Sequence, residues 1–246
     1  MQPVQFQLLS SQVAQHQAAM YLADYLRSTV SQQPTLLLLS GGSAVNMYTE
    51  LFTILTERHQ QLEGVTVSLV DERFVPAGHA DSNATQLEHS GVLKMIQTLG
   101  GTWIPYLQDD QESGAEVADR VSALFSQWQP THQVLVLAGL GDDAHTAGLL
   151  PTNDVQTIKN VYLAEQPIAY YQLPADVENP YRHRLTTTPH FLAHAQTVIV
   201  YATGAKKVAA LRRLVAGNEP ISTCPALALR ASQQPVIVLT DQSIAS

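Results

Sequence analysis

Twenty-one acidic against 13 basic side chains leave this 246-residue chain with a net charge of −8, a surface that repels nucleic acid and anionic lipid, so neither is an expected partner. An apolar fraction of 45 % with 13 glycines and 13 prolines is ordinary globular composition rather than that of a disordered chain, and residues 1–246 are expected to form one domain. The single cysteine, Cys224, excludes a disulfide framework and a cysteine-rich zinc site; MQPVQFQLLSSQVAQHQ lacks the regions of a secretory leader, and no apolar run approaches the ~20 residues that span a bilayer, so a cytoplasmic location is expected.

Taken in chain order, the pattern alternates helix and strand. Residues 11–29 place Ala14, Ala18, Tyr21, Leu22 and Tyr25 on one helical stripe. TLLLLS (35–40) then predicts a strand, 44–58 a helix, VTVSLV (65–70) a strand and 82–98 a helix. A helix is predicted over 114–128, a strand at QVLVLAG (133–139) and a weaker one at NVYLAEQ (160–166). TVIVYATG (197–204), a helix over 205–216 and PVIVLT (235–240) close the series. The strands are continuous apolar runs rather than alternating ones, as in a mostly parallel sheet buried on both faces, so the expected class is α/β, a three-layer α/β/α sandwich of Rossmann-like type. Residues 167–195, with Pro167, Pro174, Pro180 and Pro189, break the alternation and are expected to be a small subdomain or a flap.

In open α/β sheets ligands bind beyond the carboxyl ends of the strands, and here the polar motifs follow the strands. SGGS (40–43) precedes a helix and can aim backbone N–H groups at an anion, although a tight turn explains it equally well. DERFVP places Asp71, Glu72 and Arg73 after a buried strand, and Ser82 in the following DSN suits the N-cap of the next helix. GAKK sets Lys206 and Lys207 at a helix start, where cations are unfavourable unless an anion sits among them. Six of the 13 basic residues fall between Arg182 and Arg213; Arg212 and Arg213 are expected on a solvated helix face, Arg184 and Lys207 at an anion. GLGDDAHTAGLLP (139–151) supplies His145, a side chain suited to general base work near neutral pH, with Asp143 able to orient it. His79 and Asp81 match no metal-ligand spacing with it, and no metal is expected. The pocket so described suits a small phosphorylated substrate and acid–base chemistry.

In order and spacing, LSGGS, VDERFVP with DSN, GLGDDAHTAGLLP, RLTTTP and GAKK resemble the 6-phosphogluconolactonases of the glucosamine-6-phosphate deaminase-like superfamily, from about residue 10 to the C-terminus. The resemblance implies hydrolysis of 6-phosphoglucono-δ-lactone to 6-phosphogluconate in the pentose phosphate pathway, without metal or organic cofactor. It implies that His145 activates water with Asp143 as its acidic partner. It also implies that Gly41, Gly42, Ser43, Arg184 and Lys207 hold the phosphate, and that Asp71 and Arg73 lie near the sugar. Arg73 is the residue we expect to stabilise the oxyanion. The alternatives are another sugar-phosphate isomerase or deaminase of the superfamily, against which the acid-free tail TAGLLP argues, and a non-catalytic sugar-phosphate binder. Monomer and homodimer both stay open.

The chain departs from the family pattern at Ala44 and Val45, where Thr-Pro is usual, at Ala144, where the family has glycine, and at Gly148, where it has serine. Thr146-Ala147 is expected to begin a helix, giving Ala144 an ordinary backbone.

Overall fold

All five continuous apolar runs become strands of one parallel sheet. The computed structural model describes residues 1–30, 33–108, 110–174, 177 and 179–244. Its elements run β1 (Val4–Leu8), α1 (Ala14–Thr29), β2 (Thr35–Leu39), α2 (Val45–Glu57), β3 (Val65–Leu69), β4 (Asp71–Arg73), α3 (Asn83–His89), α4 (Val92–Thr98), β5 (Thr102–Trp103) and α5 (Gly114–Trp128). They continue as β6 (Gln133–Gly139), α6 (Val155–Thr157), β7 (Ile168–Gln172), β8 (His183–Thr187), α7 (Pro189–Leu192), β9 (Thr197–Tyr201), α8 (Val208–Ala216) and β10 (Val236–Thr240).

The large sheet has the order β1-β10-β9-β6-β2-β3-β5, and every pairing in it is parallel. Every residue of β2, an interior strand between β6 and β3, is buried, which requires cover on both faces and explains why the run reads TLLLL rather than alternating. Helices α1, α2 and α4 pack on one another, as expected of the three-layer α/β class.

A second sheet, of order β4-β8-β7, is antiparallel. Its β7 and β8 lie in the stretch 167–195 expected to be a subdomain or flap, β4 comes from the DER motif, and α5 packs against β7 and β8. Three local expectations are corrected. NVYLAEQ is not a strand: Ile158–Tyr162 form a single π-helical turn after α6, with Val161 and Tyr162 buried and Asn160 and Leu163 exposed, the one-sided pattern of a helical turn. The helix expected over 82–98 is two, because Gly91 between them takes the left-handed conformation at φ 81°. The helix expected over 205–216 opens as a 3₁₀ turn, Ala205–Lys207, before α8.

Candidate active site

The carboxyl ends of β2, β3, β6 and β9 and the small sheet surround a cavity of about 570 Å³. It is lined by all nine residues that the sequence singled out: His145 and Asp143, the Gly41–Gly42–Ser43 loop, Asp71, Arg73, Arg184 and Lys207.

The β6 loop carries the titratable pair. His145 Nδ1 lies 2.6 Å from Asp143 Oδ1, and the same oxygen accepts the His145 backbone N–H at 3.0 Å. That hydrogen bond, against partial burial, holds the Asp143 carboxyl down at about 2. An ionised Asp143 fixes the proton on Nδ1 and leaves Nε2 as the nitrogen with a free lone pair. The imidazole lies over Gly141: a Cβ there would come 2.0 Å from His145 Nδ1, so a residue without a side chain is required.

The expected helix at Thr146 is absent, and the expectation for Ala144 is corrected. Ala144 and Ala147 take positive φ, 70° and 53°, a conformation that costs a non-glycine residue about 1 kcal/mol each. Such backbone persists only where its surroundings over-determine it, and this loop is tied along its length. Thr146 Oγ1 donates to Gly139 O at 2.8 Å. Ala226 N donates to Ala144 O at 3.0 Å and Arg213 Nη1 to Asp143 O at 2.8 Å. Thr186 Oγ1 donates to Ala147 O, Tyr171 to Gly148 O at 2.5 Å and Tyr162 to Leu150 O at 2.6 Å. With so many carbonyls engaged in these bonds, the helix suggested by Thr146-Ala147 does not form. Gly148, the departure from serine, has φ 72°, and a Cβ would come 2.8 Å from Asp71 Cβ; here the backbone crosses Asp71 too closely for a side chain.

The small sheet supplies two arginines. Arg73 of β4 and Arg184 of β8 are register partners, an arrangement in which like charges repel. Arg73 Nη1 donates to Asp81 O at 2.8 Å, its guanidinium lies 5.0 Å from the Tyr181 ring centroid, and Tyr181 donates to Asp81 Oδ1 at 2.9 Å. Arg184 is 8 % exposed and donates to Asn179 Oδ1 at 3.2 Å. Both Nε atoms are buried and find no acceptor among the described residues. Burial raises the neighbouring Asp71 carboxyl, an effect that Arg184 and Arg73 oppose.

Beneath them lies Glu72, which the sequence left as part of a solvated loop or a pocket and which is fully buried. It accepts from Arg73 N (2.7 Å), Asn83 N (2.7 Å), Ala84 N (2.9 Å) and Ser82 Oγ (2.9 Å). Ser82 is also the expected N-cap of α3, accepting from Thr85 N. Burial pushes the Glu72 carboxyl up to about 7, although these four donors pull it down. Glu72 therefore ties β4 to the start of α3 behind the pocket.

On the remaining side, Gly42–Ala44 form a 3₁₀ turn leading into α2, with no side-chain cap among the described residues at either start, and Gly41, Gly42 and Ser43 line the cavity there. Lys207 Nζ lies 2.7 Å from Asp142 Oδ1; the lysine hydrogen bond lowers the Asp142 carboxyl. Arg212 is exposed as expected, but Arg213 is not free on a solvated face: it pairs with Glu219 and reaches the β6 loop. Tyr181 and Asn179 are lining residues that the sequence did not suggest; they lie in the proline-rich stretch, where no periodicity marks them. Among the described residues no group of three or more His, Cys, Asp and Glu side chains is placed to share a metal ion. Nor, among those residues, is any helix long and apolar enough to cross a membrane.

The family model of glucosamine-6-phosphate isomerases/6-phosphogluconolactonase matches residues 10–238. A 6-phosphogluconolactonase of Pseudomonas aeruginosa is 34 % identical over 199 residues, covering 79 % of this chain and 78 % of that protein. The human 6-phosphogluconolactonase is 30 % identical over 188 residues, 74 % of this chain and 68 % of that one. Among solved structures, the 6-phosphogluconolactonase of Trypanosoma brucei superposes with a TM-score of 0.76 at 21 % identity, covering 98 % of this chain and 97 % of that one. At that identity the superposition speaks for the fold.

Proposed function

The chain belongs to the glucosamine-6-phosphate isomerase/6-phosphogluconolactonase family, and from that premise we propose that it hydrolyses 6-phosphoglucono-1,5-lactone to 6-phosphogluconate, a step of the pentose phosphate pathway, with residues 1–246 acting as one domain. The observation that carries the mechanism is the His145–Asp143 pair at 2.6 Å, opening onto a cavity that also holds Arg73, Arg184 and Lys207.

The chemistry asked of the protein is modest, because a lactone is an activated ester. His145 Nε2 takes a proton from water as the water oxygen attacks the lactone carbonyl carbon. Asp143 stabilises the imidazolium that forms and keeps the ring in the useful tautomer. The tetrahedral intermediate then collapses, the bond from the carbonyl carbon to the ring oxygen breaks, and His145 returns its proton to that oxygen. The product is the open-chain acid, which ionises. No covalent intermediate with the protein is needed, and Arg73 is assigned to the developing oxyanion.

The phosphate is assigned to Arg184, Lys207 and the N–H groups of the Gly41–Ser43 loop, with Asp71 near the sugar. Two cationic register partners whose buried Nε atoms find no acceptor among the described residues are a poor arrangement without an anion and a good one with it. In a chain of net charge −8, these local cations oppose the long-range repulsion of an anionic substrate. Phosphate binding orients the carbonyl towards the activated water.

The test is acid release from freshly prepared 6-phosphoglucono-lactone. Purified protein is expected to accelerate it well above the spontaneous rate, and to act far less on unphosphorylated gluconolactone. A rate equal to the spontaneous one would overturn the reading.

A further inference from the structure

We propose that Arg213 is a positioning residue for this reaction: together with Glu219 it holds the left-handed turn at Ala144 and so aims His145. The inference rests on His145 being the base. Arg213 is not among the residues lining the cavity, so its effect must travel through the backbone.

The geometry is specific. The guanidinium forms a fork with Glu219, Nε to Oε1 at 2.8 Å and Nη2 to Oε2 at 2.7 Å, which fixes its plane. The remaining donors are aimed at two carbonyls, Nη2 at Thr223 O (2.7 Å) and Nη1 at Asp143 O (2.8 Å). Three residues beyond Thr223, Ala226 N donates to Ala144 O at 3.0 Å. The Asp143 carbonyl lies in the peptide plane before the Ala144 Cα, and the Ala144 carbonyl in the plane after it. Holding both planes sets φ and ψ of Ala144, the two soft dihedrals of that residue.

Ala144 sits at φ 70°, where its own Cβ favours escape. Without the Arg213 hydrogen bond one of the two planes is released and the turn can relax. The relaxation would part His145 from Asp143, since both hydrogen bonds between them are made to one oxygen within this turn. A glycine at the same position has no Cβ and no reason to leave. Arg213 and the alanine at 144 are therefore coupled: the alanine makes the arginine necessary.

The coupling is read by steady-state kinetics on 6-phosphoglucono-lactone for the wild type, Arg213→Gln, Ala144→Gly and the double variant. Arg213→Gln is expected to lower kcat roughly 10–100-fold, as loss of an outer partner of a catalytic group does, with KM moved less than about threefold. In the Ala144→Gly background the same substitution is expected to cost less than about fivefold, the non-additivity of coupled sites. Should Arg213→Gln not fold, Arg213→Lys, which keeps the charge but not the fork, makes the same comparison in both backgrounds. An equal loss in both backgrounds would overturn the proposal, because a merely structural arginine would destabilise either chain alike. His145→Ala, measured alongside, reads the premise separately: turnover near wild type there would defeat the assignment of the base, whatever Arg213 does.

Discussion

The two walls of the cavity are built differently. The large parallel sheet brings its contributions at strand ends, with the Gly41–Ser43 loop after β2, the His145–Asp143 loop after β6 and Lys207 after β9. The small antiparallel sheet brings Arg73 and Arg184 from within its strands, side by side in the β4–β8 ladder. The first wall holds the His145–Asp143 pair in a strained backbone, with Ala144 and Ala147 at positive φ, tied by donors from distant elements. The second is held by buried side-chain chemistry, above all the four hydrogen bonds to Glu72. Under the proposed function the difference suggests a division of labour: the β6 loop of the first wall carries the base, and the second, recognition wall sets Arg184 against the phosphate and Arg73 against the oxyanion, with Lys207 and the Gly41–Ser43 loop of the first wall completing the phosphate site.

That division is broken or sharpened by substitutions on each side. On the reactive wall, His145→Ala is expected to lower kcat roughly 10²–10⁴-fold, the range for a lost general base, with a much smaller change in KM; steady-state kinetics on fresh lactone check it. Among the residues assigned to the phosphate, Arg184→Gln on the small sheet or Lys207→Gln on the large one is expected to weaken binding of the phosphorylated lactone by about 1.5–3 kcal/mol, as for a lost charge-assisted hydrogen bond. Activity on unphosphorylated gluconolactone should change little. Equal losses on both substrates would mean that these residues are structural.

The support beneath the recognition wall is tested through stability. Glu72→Gln places an amide N–H₂ against donors that need an acceptor, and should cost about 1–3 kcal/mol in denaturant unfolding. The pH dependence has a sign. Glu72 is raised from 4.5 to about 7, so its titration contributes stability that is fully present below pH 4.5 and is lost as pH rises through about 7. The stability gap between wild type and the glutamine variant should therefore narrow from pH 4.5 to pH 8; a widening gap would contradict this account of the site. The smallest effect is expected at Ala144→Gly, which should gain up to about 1 kcal/mol by relieving the left-handed strain and leave kcat within about threefold. A measured loss of stability would contradict the strain.

The two walls were also unequally legible. The strands of the large sheet announced themselves because burial on both faces leaves only apolar residues, as in TLLLL and QVLVLAG. Its edge strand β1, VQFQL, has no buried residue and carries no such signal. Strands β4 and β8, DER and HRLTT, do not read as strands, because they carry charged residues (Asp71, Arg73 and Arg184 at the cavity, Glu72 buried behind it) in place of an apolar run, and the ladder between them joins segments more than 100 residues apart. The residue types of the site were visible at once, since strand ends are where such a fold puts them. The way the β6 loop is held was not. Nothing in DDAHTAG says that Arg213, Ala226, Thr186 and Tyr171 each bond one of its carbonyls, or that Tyr162 bonds the Leu150 carbonyl just beyond it, and without those bonds helix is the reasonable local expectation for Thr146-Ala147.

The central claim is that Asp143, permanently ionised, works through His145 as the base. Asp143 is held at about 2, below its ordinary 3.8, so its own titration, and the stability lost as pH falls through that range, lies below pH 4. The most direct measurement is the pH profile of kcat/KM on fresh 6-phosphoglucono-lactone for the wild type and Asp143→Asn. Loss of the carboxylate removes the hydrogen bond that fixes the Nδ1 proton and the ring's orientation, so the account predicts a kcat/KM plateau lowered roughly 10–100-fold. A plateau within about twofold of wild type would contradict it.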